Sequence, residues 1–346
     1  MVSSNVKLTN HEPDVVVAPE NPQLVELSDV KSTIPEPDVV VGPNVHQSSP
    51  SASQAQPKFQ FRKPPKGLKN MGNTCYANAI LTCFFSFPEL WDFPSSSPFL
   101  QSLKVVLVAM NSATASFAPK PFLISLKKHI TGLQSHAFRF NQQHDASEVL
   151  VYVLQEVQKF TTRSPQLVSS VLVPWYSCQS CNTRAEGQDL RRPESVLNLQ
   201  VSESVSASVQ HLLAGGELLR YCQKCKRDQM CTEERTYDLL PNVLILRLLR
   251  DQFDTNLGVG VKLDTDVHCN KLLTIGSSSV QSSAPSVYHL TSVIHHIGDS
   301  LNKGHYFSTL INAKTKKMWR YNDEKVDRVT KLDGKTAYLL FYRKAP

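Results

Sequence analysis

The order in which hydrophobic periodicities follow one another along the chain restricts its fold more than any other feature. Between Gly67 and residue 160 the apolar residues recur at helical spacing. Ala77, Ile80, Leu81, Phe84 and Phe85 lie three and four apart, with Asn73 or Thr74 placed to cap the segment, and residues 121–130 and 145–160 read as further helices. Asp145 stands at the cap of the last of these, with Glu148 at the capping-box position. Beyond residue 190 the texture turns strand-like, over 195–201, 243–249, 288–294, 305–311, 318–321 and 337–342. Helices first and mostly antiparallel strands afterwards predict an α+β fold and argue against a doubly wound sheet.

The 346 residues divide by composition near residue 60. Residues 1–60 carry 8 of the 21 prolines, with 3 Lys/Arg and 7 Asp/Glu, a net charge of 3 − 7 = −4. The other 286 residues carry 34 Lys/Arg and 23 Asp/Glu, a net charge of +11, and all eight cysteines. The head contains an imperfect repeat, Glu12-Pro-Asp-Val-Val-Val-Ala-Pro19 and Glu36-Pro-Asp-Val-Val-Val-Gly-Pro43, offset by 24 residues. Two copies are too few for a solenoid. Proline at this density blocks helices and removes ladder donors, so a disordered, acidic, Pro-rich head with a linker at 48–57 is expected over 1–60, and one folded domain over 61–346. No apolar run approaches the roughly 20 residues of a membrane-spanning helix, and no secretory core follows Met1, so an intracellular protein, cytoplasmic or nuclear, without a membrane partner is expected.

Cys75 follows Gly67-Leu-Lys-Asn-Met-Gly-Asn-Thr and opens the first helical segment. Unpaired N–H groups and the helix dipole at such a position favour a thiolate, and Asn70 supplies an amide donor that can face a developing oxyanion. Cys83, on the apolar face of the same helix, reads as core. Far down the chain His305 begins an alternating strand, and Trp319-Arg-Tyr-Asn-Asp323 forms the next. A hairpin between them would return Asn322 or Asp323 to His305, where a side-chain oxygen fixes one imidazole nitrogen and leaves the other to take the thiol proton. The order Cys, His, Asn/Asp is that of papain-like proteases.

Cys178-Gln-Ser-Cys181 and Cys222-Gln-Lys-Cys225 form two Cys-x-x-Cys pairs separated by 40 residues. Each can present two thiolates from one turn, and four thiolates complete a closed tetrahedral, structural zinc site. The long interval requires strands that leave the site and return. A redox Cys-x-x-Cys is the alternative, although neither pair opens a thioredoxin-like helix. Cys231, six residues beyond Cys225, is a poorly spaced substitute ligand. Basic clusters at Lys224, Lys226 and Arg227 and at Lys314, Lys316, Lys317 and Arg320 lack interleaved aromatics, so they read as solvated loops and nucleic acid is not an expected partner.

Taken together these segments resemble the ubiquitin-specific proteases. Residues 67–79 resemble that family's cysteine box, Gln143-His-Asp145-Ala-Ser-Glu148-Val-Leu its Gln-x-Asp-Ala segment, and Leu240 to Arg250 the strand it carries after its zinc site. Tyr288 to Gly298, Gly304-His-Tyr and Trp319 to Val326 resemble its histidine box. Val149 stands where the family usually has Phe, and the folded part is near the short end for the family. The resemblance implies a papain-like fold with a helical thumb, a β-rich palm and zinc-bearing fingers. It implies a deubiquitinating cysteine protease acting at the C-terminal glycine of ubiquitin, with ubiquitin and ubiquitinated proteins as partners. Cys75 would be the nucleophile, His305 the general base, Asn322 or Asp323 its orienting partner and Asn70 the oxyanion donor. Asp145, Gln143, His296, Gly304 and Tyr306 would line the substrate path, Asp145 where the basic tail of ubiquitin passes. One structural zinc and no organic cofactor are implied. Two rival expectations share the fold: a non-catalytic ubiquitin-binding protein, and a protease for another ubiquitin-like modifier.

Overall fold

The structure, a computed structural model, describes residues 64–92, 94–132, 142–160, 166–187, 191–254, 259–276, 285–300, 303–312 and 314–346. The acidic head and its repeat lie outside the described residues. Four helices come first: α1 (Cys75–Phe85), α2 (Pro98–Ser112), α3 (Lys120–Gly132) and α4 (Ala146–Phe160). Strands β1 (Ser170–Cys178), β2 (Arg184–Glu186), β3 (Pro193–Glu194) and β4 (Leu197–Gln200) follow, then α5 (Val205–Ala214). The rest is β5 (Glu217–Cys222), β6 (Arg227–Leu239), β7 (Val243–Leu249), β8 (Asp251–Asp254), β9 (Val259–Lys262), β10 (Leu272–Ile275), β11 (Ser286–Ser300), β12 (Lys303–Ile311), β13 (Met318–Asn322), β14 (Lys325–Val329) and β15 (Ala337–Lys344). The α+β expectation is borne out.

An eight-stranded sheet in the order β14-β13-β12-β11-β15-β7-β4, with β10 beside β11, forms the centre. Its pairs are antiparallel except β4 with β7. On β7, Val243 and Ile245 join the core that also holds α1 to α4, whereas Leu244, Leu246 and Leu248 join a second core with Val205 and Val209 of α5. Alternate residues of a strand point to opposite faces, so a sheet covered on both sides reads as a nearly continuous apolar run. Arg247 interrupts that run on the α1–α4 side.

Every residue of α1 is buried, so this helix is enclosed by protein on all sides. In α4 the buried Ala146, Val149, Leu150, Val153, Leu154 and Val157 follow helical spacing. Asp145 caps it, its Oδ1 accepting from the Ser147 N–H at 2.6 Å. Helix α2 carries start signals of its own: Pro98 in its first turn, and a Ser97 Oγ that accepts from the Leu100 N–H and donates to Glu156 Oε1 of α4 at 2.7 Å.

A second sheet, β2-β1-β6-β5 with β3 beside β1, forms a long ribbon. Strands β1 and β6 pair from Val171↔Leu239 to Cys178↔Cys231, with a bulge after Val171. Its tip holds a small buried cluster of Tyr176, Cys178, Cys222 and Cys231.

Candidate active site

Cys75 is the first residue of α1 and is 2 % exposed. The first N–H groups of a helix have no intrahelical acceptor, and its dipole is positive there, so an anionic sulfur is favoured at this position. Thr74 is the cap residue by position, yet its side chain makes no capping hydrogen bond; its Oγ1 accepts from the Met71 N–H at 2.9 Å and so closes the preceding turn. Gly72 and Asn73 both have positive φ, +92° and +54°, which folds the loop tightly before the cysteine. Gly67 serves close approach instead of turning: a Cβ there would lie 2.5 Å from the Asp323 carbonyl oxygen and 2.6 Å from that of Glu324.

Antiparallel pairing of β12 with β13, with Ser308 opposite Tyr321, carries the end of β13 back to His305. His305 Nε2 lies 2.5 Å from Asn322 Oδ1 and 4.0 Å from Asp323 Oδ2. With Nε2 engaged by Asn322, Nδ1 is the nitrogen left for the thiol. A hydrogen bond with Cys75 is the largest influence on His305 and raises its pKa to about 9, with smaller upward contributions from Asn322 and the charges of Cys75 and Asp323 against the lowering effect of burial. At neutral pH His305 is therefore held as an imidazolium, the form that can deliver a proton.

Asp323 plays a different part from Asn322. Its Oδ2 accepts from Asn70 Nδ2 at 3.0 Å, its Oδ1 from the buried Asn78 Nδ2 at 2.8 Å, and its carbonyl from the Leu68 N–H at 3.0 Å. One carboxylate therefore ties the loop before Cys75 and helix α1 to the β13–β14 turn. Asn70 Oδ1 accepts from the N–H groups of Gly72 (3.0 Å) and Thr74 (3.1 Å), so this side chain organises the loop, with one Nδ2 proton beyond the bond to Asp323.

At the tip of the ribbon the sulfurs of Cys178, Cys181, Cys222 and Cys225 all lie within 4.8 Å of one another, with Cys178 to Cys225 at 3.9 Å and Cys181 to Cys222 at 3.6 Å. Four thiolates at Zn–S distances of about 2.3 Å stand about 3.8 Å apart, so the donor set and spacing fit one tetrahedral zinc. The two loops are alike. The Asn182 N–H donates to the Cys178 carbonyl and the Lys226 N–H to that of Cys222, both at 2.8 Å, and both donor residues are left-handed with φ +56°. Cys231, opposite Cys178 on β6, is buried beside the four and lies outside the tight group of sulfurs.

The profile of the family described as "Ubiquitin carboxyl-terminal hydrolase" matches residues 66–342. The chain belongs to this family. Among its curated relatives, Ubiquitin carboxyl-terminal hydrolase 17-like protein E of Mus musculus is 28% identical over 303 residues, covering 81% of this chain and 55% of the mouse protein. Ubiquitin carboxyl-terminal hydrolase 17 of Homo sapiens is 28% identical over 327 residues, covering 85% and 60%. The chain thus spans little more than half the length of these relatives. A chain in the solved SAGA Ubp8/Sgf11/Sus1/Sgf73 DUB module bound to ubiquitin aldehyde has the same fold, with TM-score 0.66, 20% identity, and coverage of 84% of this chain and 72% of that chain.

Within this ubiquitin carboxyl-terminal hydrolase fold, the other expected site residues gather beside His305. Gln143 brackets the Gly304 peptide, its Nε2 donating to the carbonyl and its Oε1 accepting from the N–H at 2.9 Å. Gly304 has φ +157°, and a Cβ on it would lie 2.1 Å from the Ile297 carbonyl and 2.5 Å from His296 Nε2. His296 is 1 % exposed, packs 4.5 Å from the Tyr306 ring, and has its pKa lowered to about 4, first by burial. Tyr338 and Arg247, which the sequence reading passed over, join this group. The Tyr338 hydroxyl donates to Asp145 at 2.7 Å from Oδ2, and Arg247 Nη2 lies 3.4 Å from the same oxygen. Arg247, a lone cation inside an apolar strand, was the legible signal; nothing in the sequence named its partner. Among the described residues no helix is long and apolar enough to cross a membrane.

Proposed function

We propose that this chain is a thiol isopeptidase that hydrolyses the bond joining the C-terminal glycine of ubiquitin to a lysine of a conjugated protein. The observation that carries this reading is the arrangement of Cys75, His305 and Asn322, in which a cysteine at a helix start meets an imidazole whose remote nitrogen is held 2.5 Å from an amide oxygen. In the proposed reaction the Cys75 thiolate attacks the glycine carbonyl, and the oxyanion gathers first-turn N–H groups and the remaining Asn70 Nδ2 proton. The imidazolium of His305 gives its proton to the departing lysine amine, forming a thioester. His305 then deprotonates water, which attacks the thioester, and the thiolate is restored. Family membership supports ubiquitin as substrate. The joint presence of nucleophile, base and orienting amide favours turnover over a binding-only role.

Cys178, Cys181, Cys222 and Cys225 would hold one structural zinc in this reading. Bound there, the ion cross-links the β1–β2 and β5–β6 turns and leaves no open position for chemistry. The expected location is intracellular.

The test is ubiquitin carrying a C-terminal electrophile, run beside equivalent probes made from other ubiquitin-like modifiers. A covalent adduct with the ubiquitin probe in the native protein, lost in Cys75→Ala, is expected. No adduct from folded protein would refute turnover, and an adduct with a different modifier alone would reassign the substrate.

A further inference from the structure

Asp145 is the carboxylate that the resemblance to the ubiquitin-specific proteases places on the path of a basic substrate tail, yet its oxygens are already engaged. Oδ1 accepts from the Ser147 N–H at 2.6 Å and from the Tyr338 hydroxyl at 2.9 Å, while Oδ2 accepts from the same hydroxyl at 2.7 Å and faces Arg247 Nη2 at 3.4 Å. The pair is largely withdrawn from water, with side chains 12% exposed for Asp145 and 25% for Arg247. Its geometry is reinforced from below, where the Arg247 guanidinium stands 5.5 Å from the Tyr338 ring centroid.

The guanidinium is not fully used. Arg247 Nε is buried with no hydrogen-bond partner among the described residues. That nitrogen is closed to solvent and so to an incoming group, and the guanidinium meets Asp145 through Nη2. The surrounding charges leave Arg247 in place. Asp251, at the start of β8 and opposite Lys262 on β9, adds a carboxylate that interacts with both Arg247 and Asp145. Lys262 is committed elsewhere, its Nζ donating to the carbonyls of His296 (3.2 Å) and Gly298 (2.7 Å). Charge along this wall is therefore compensated within the chain before any substrate arrives.

We infer that Arg247 is a specificity-determining residue: it occupies the guanidinium seat on Asp145, so that the site depends little on a basic residue in the substrate tail. A carboxylate with vacant acceptor positions would take an incoming arginine in a bidentate, charge-assisted pair. Here an arriving arginine must displace Arg247 or make do with partial engagement. The preference expected at this point is weak, with tolerance of neutral side chains where ubiquitin carries arginine.

The inference rests on the isopeptidase reading, and a double-mutant cycle across enzyme and substrate separates the two. Full-length protein, with and without Arg247→Ala, is assayed for kcat/KM on a fluorogenic ubiquitin and on the same ubiquitin with its tail arginines changed to alanine. Native enzyme should lose less than about threefold on the altered tail, and Arg247→Ala should lose about tenfold or more, because the freed Asp145 then discriminates. Adding Asp145→Asn to Arg247→Ala should erase that discrimination. Equal losses in native and Arg247→Ala enzyme would overturn the inference. Should Arg247→Ala fail to fold, Arg247→Gln, which keeps an amide donor and removes the charge, carries the same expectation. A native protein that forms no Cys75 adduct with the electrophilic probe refutes the isopeptidase reading itself, whereas an adduct together with an uncoupled cycle refutes only the role of Arg247.

Discussion

Asn322 Oδ1 stands 2.5 Å from His305 Nε2, while Asp323, the next residue, stops at 4.0 Å and turns its carboxylate to two asparagines on the nucleophile side. Neighbouring residues at one strand end point in different directions, and the left-handed backbone of Asp323, φ +52°, completes the division.

The first prediction separates these roles. Asn322→Ala should lower kcat by roughly tenfold to a hundredfold, within the range carried by general acid–base catalysis, with little change in thermal stability. Asp323→Ala should instead remove about 2 kcal/mol of stability, since it takes away the charged and shortest of the three acceptors of the Asn78 amide and releases the Asn70 loop. Thermal unfolding beside steady-state kinetics distinguishes them. Loss of activity in Asp323→Ala with unchanged stability would make it the orienting residue after all.

The pH dependence has two sides. The His305 pKa is raised to about 9 from an ordinary 6.5, so its stabilising contribution is full below pH 6.5 and is lost as pH rises through 9. Because Cys75 is the largest cause, Cys75→Ala should lower this pKa, which NMR titration of the imidazole would detect. His295 and His296 behave oppositely. Burial lowers each to about 4, so the stability they contribute is present above pH 6.5 and disappears as pH falls toward 4. Unfolding temperature measured from pH 4 to 9 should pass through a maximum, and His295→Phe should flatten its acid limb. An acid limb unchanged in that variant would show that other groups govern it.

Much of this was legible in sequence because the chemistry-bearing residues sit in short local patterns. Cys75 at a helix start, His305 at a strand start and the two cysteine pairs need only local geometry to be recognised. The fold was legible where elements bury one face regularly, as β7 and α4 do. It was not legible in the ribbon, where β6 buries only Cys231 and Tyr237 and carries Arg, Asp, Gln and Glu in place of alternating apolar residues. Helix α5 was overlooked although Ser204 caps it through the Ala207 N–H at 3.1 Å, a signal visible as Ser before an apolar run. The Asp145, Arg247 and Tyr338 cluster joins α4, β7 and β15, and only tertiary packing creates it.

Metal content provides the third prediction. The preparation should contain about one zinc per chain, and Cys178→Ser should lower stability while leaving the reactivity of any correctly folded Cys75 intact. Well-folded, metal-free protein would remove zinc from the account. The two loops also permit a stabilising change. Lys226 holds a left-handed conformation that costs a non-glycine residue about 1 kcal/mol, so Lys226→Gly should raise the unfolding free energy by about that amount.

The fourth prediction concerns Gln143, which the sequence placed among substrate-binding residues. Both ends of its carboxamide are spent on the Gly304 peptide, the residue that fixes the backbone entering His305. A residue used in this way should affect the chemical step more than substrate capture. Gln143→Ala is expected to lower kcat by about tenfold, equivalent to about 1.4 kcal/mol, with KM nearly constant. Gln143→Glu keeps the acceptor for the Gly304 N–H but loses the donor to its carbonyl, so it should fall between the two. The pH profile adds a readout that loss of packing alone would not move: if the bracket positions His305 against Cys75, its removal should draw the alkaline limb downward in pH as the imidazole loses its partner. A rise in KM with kcat and pH profile intact would instead place Gln143 on the substrate.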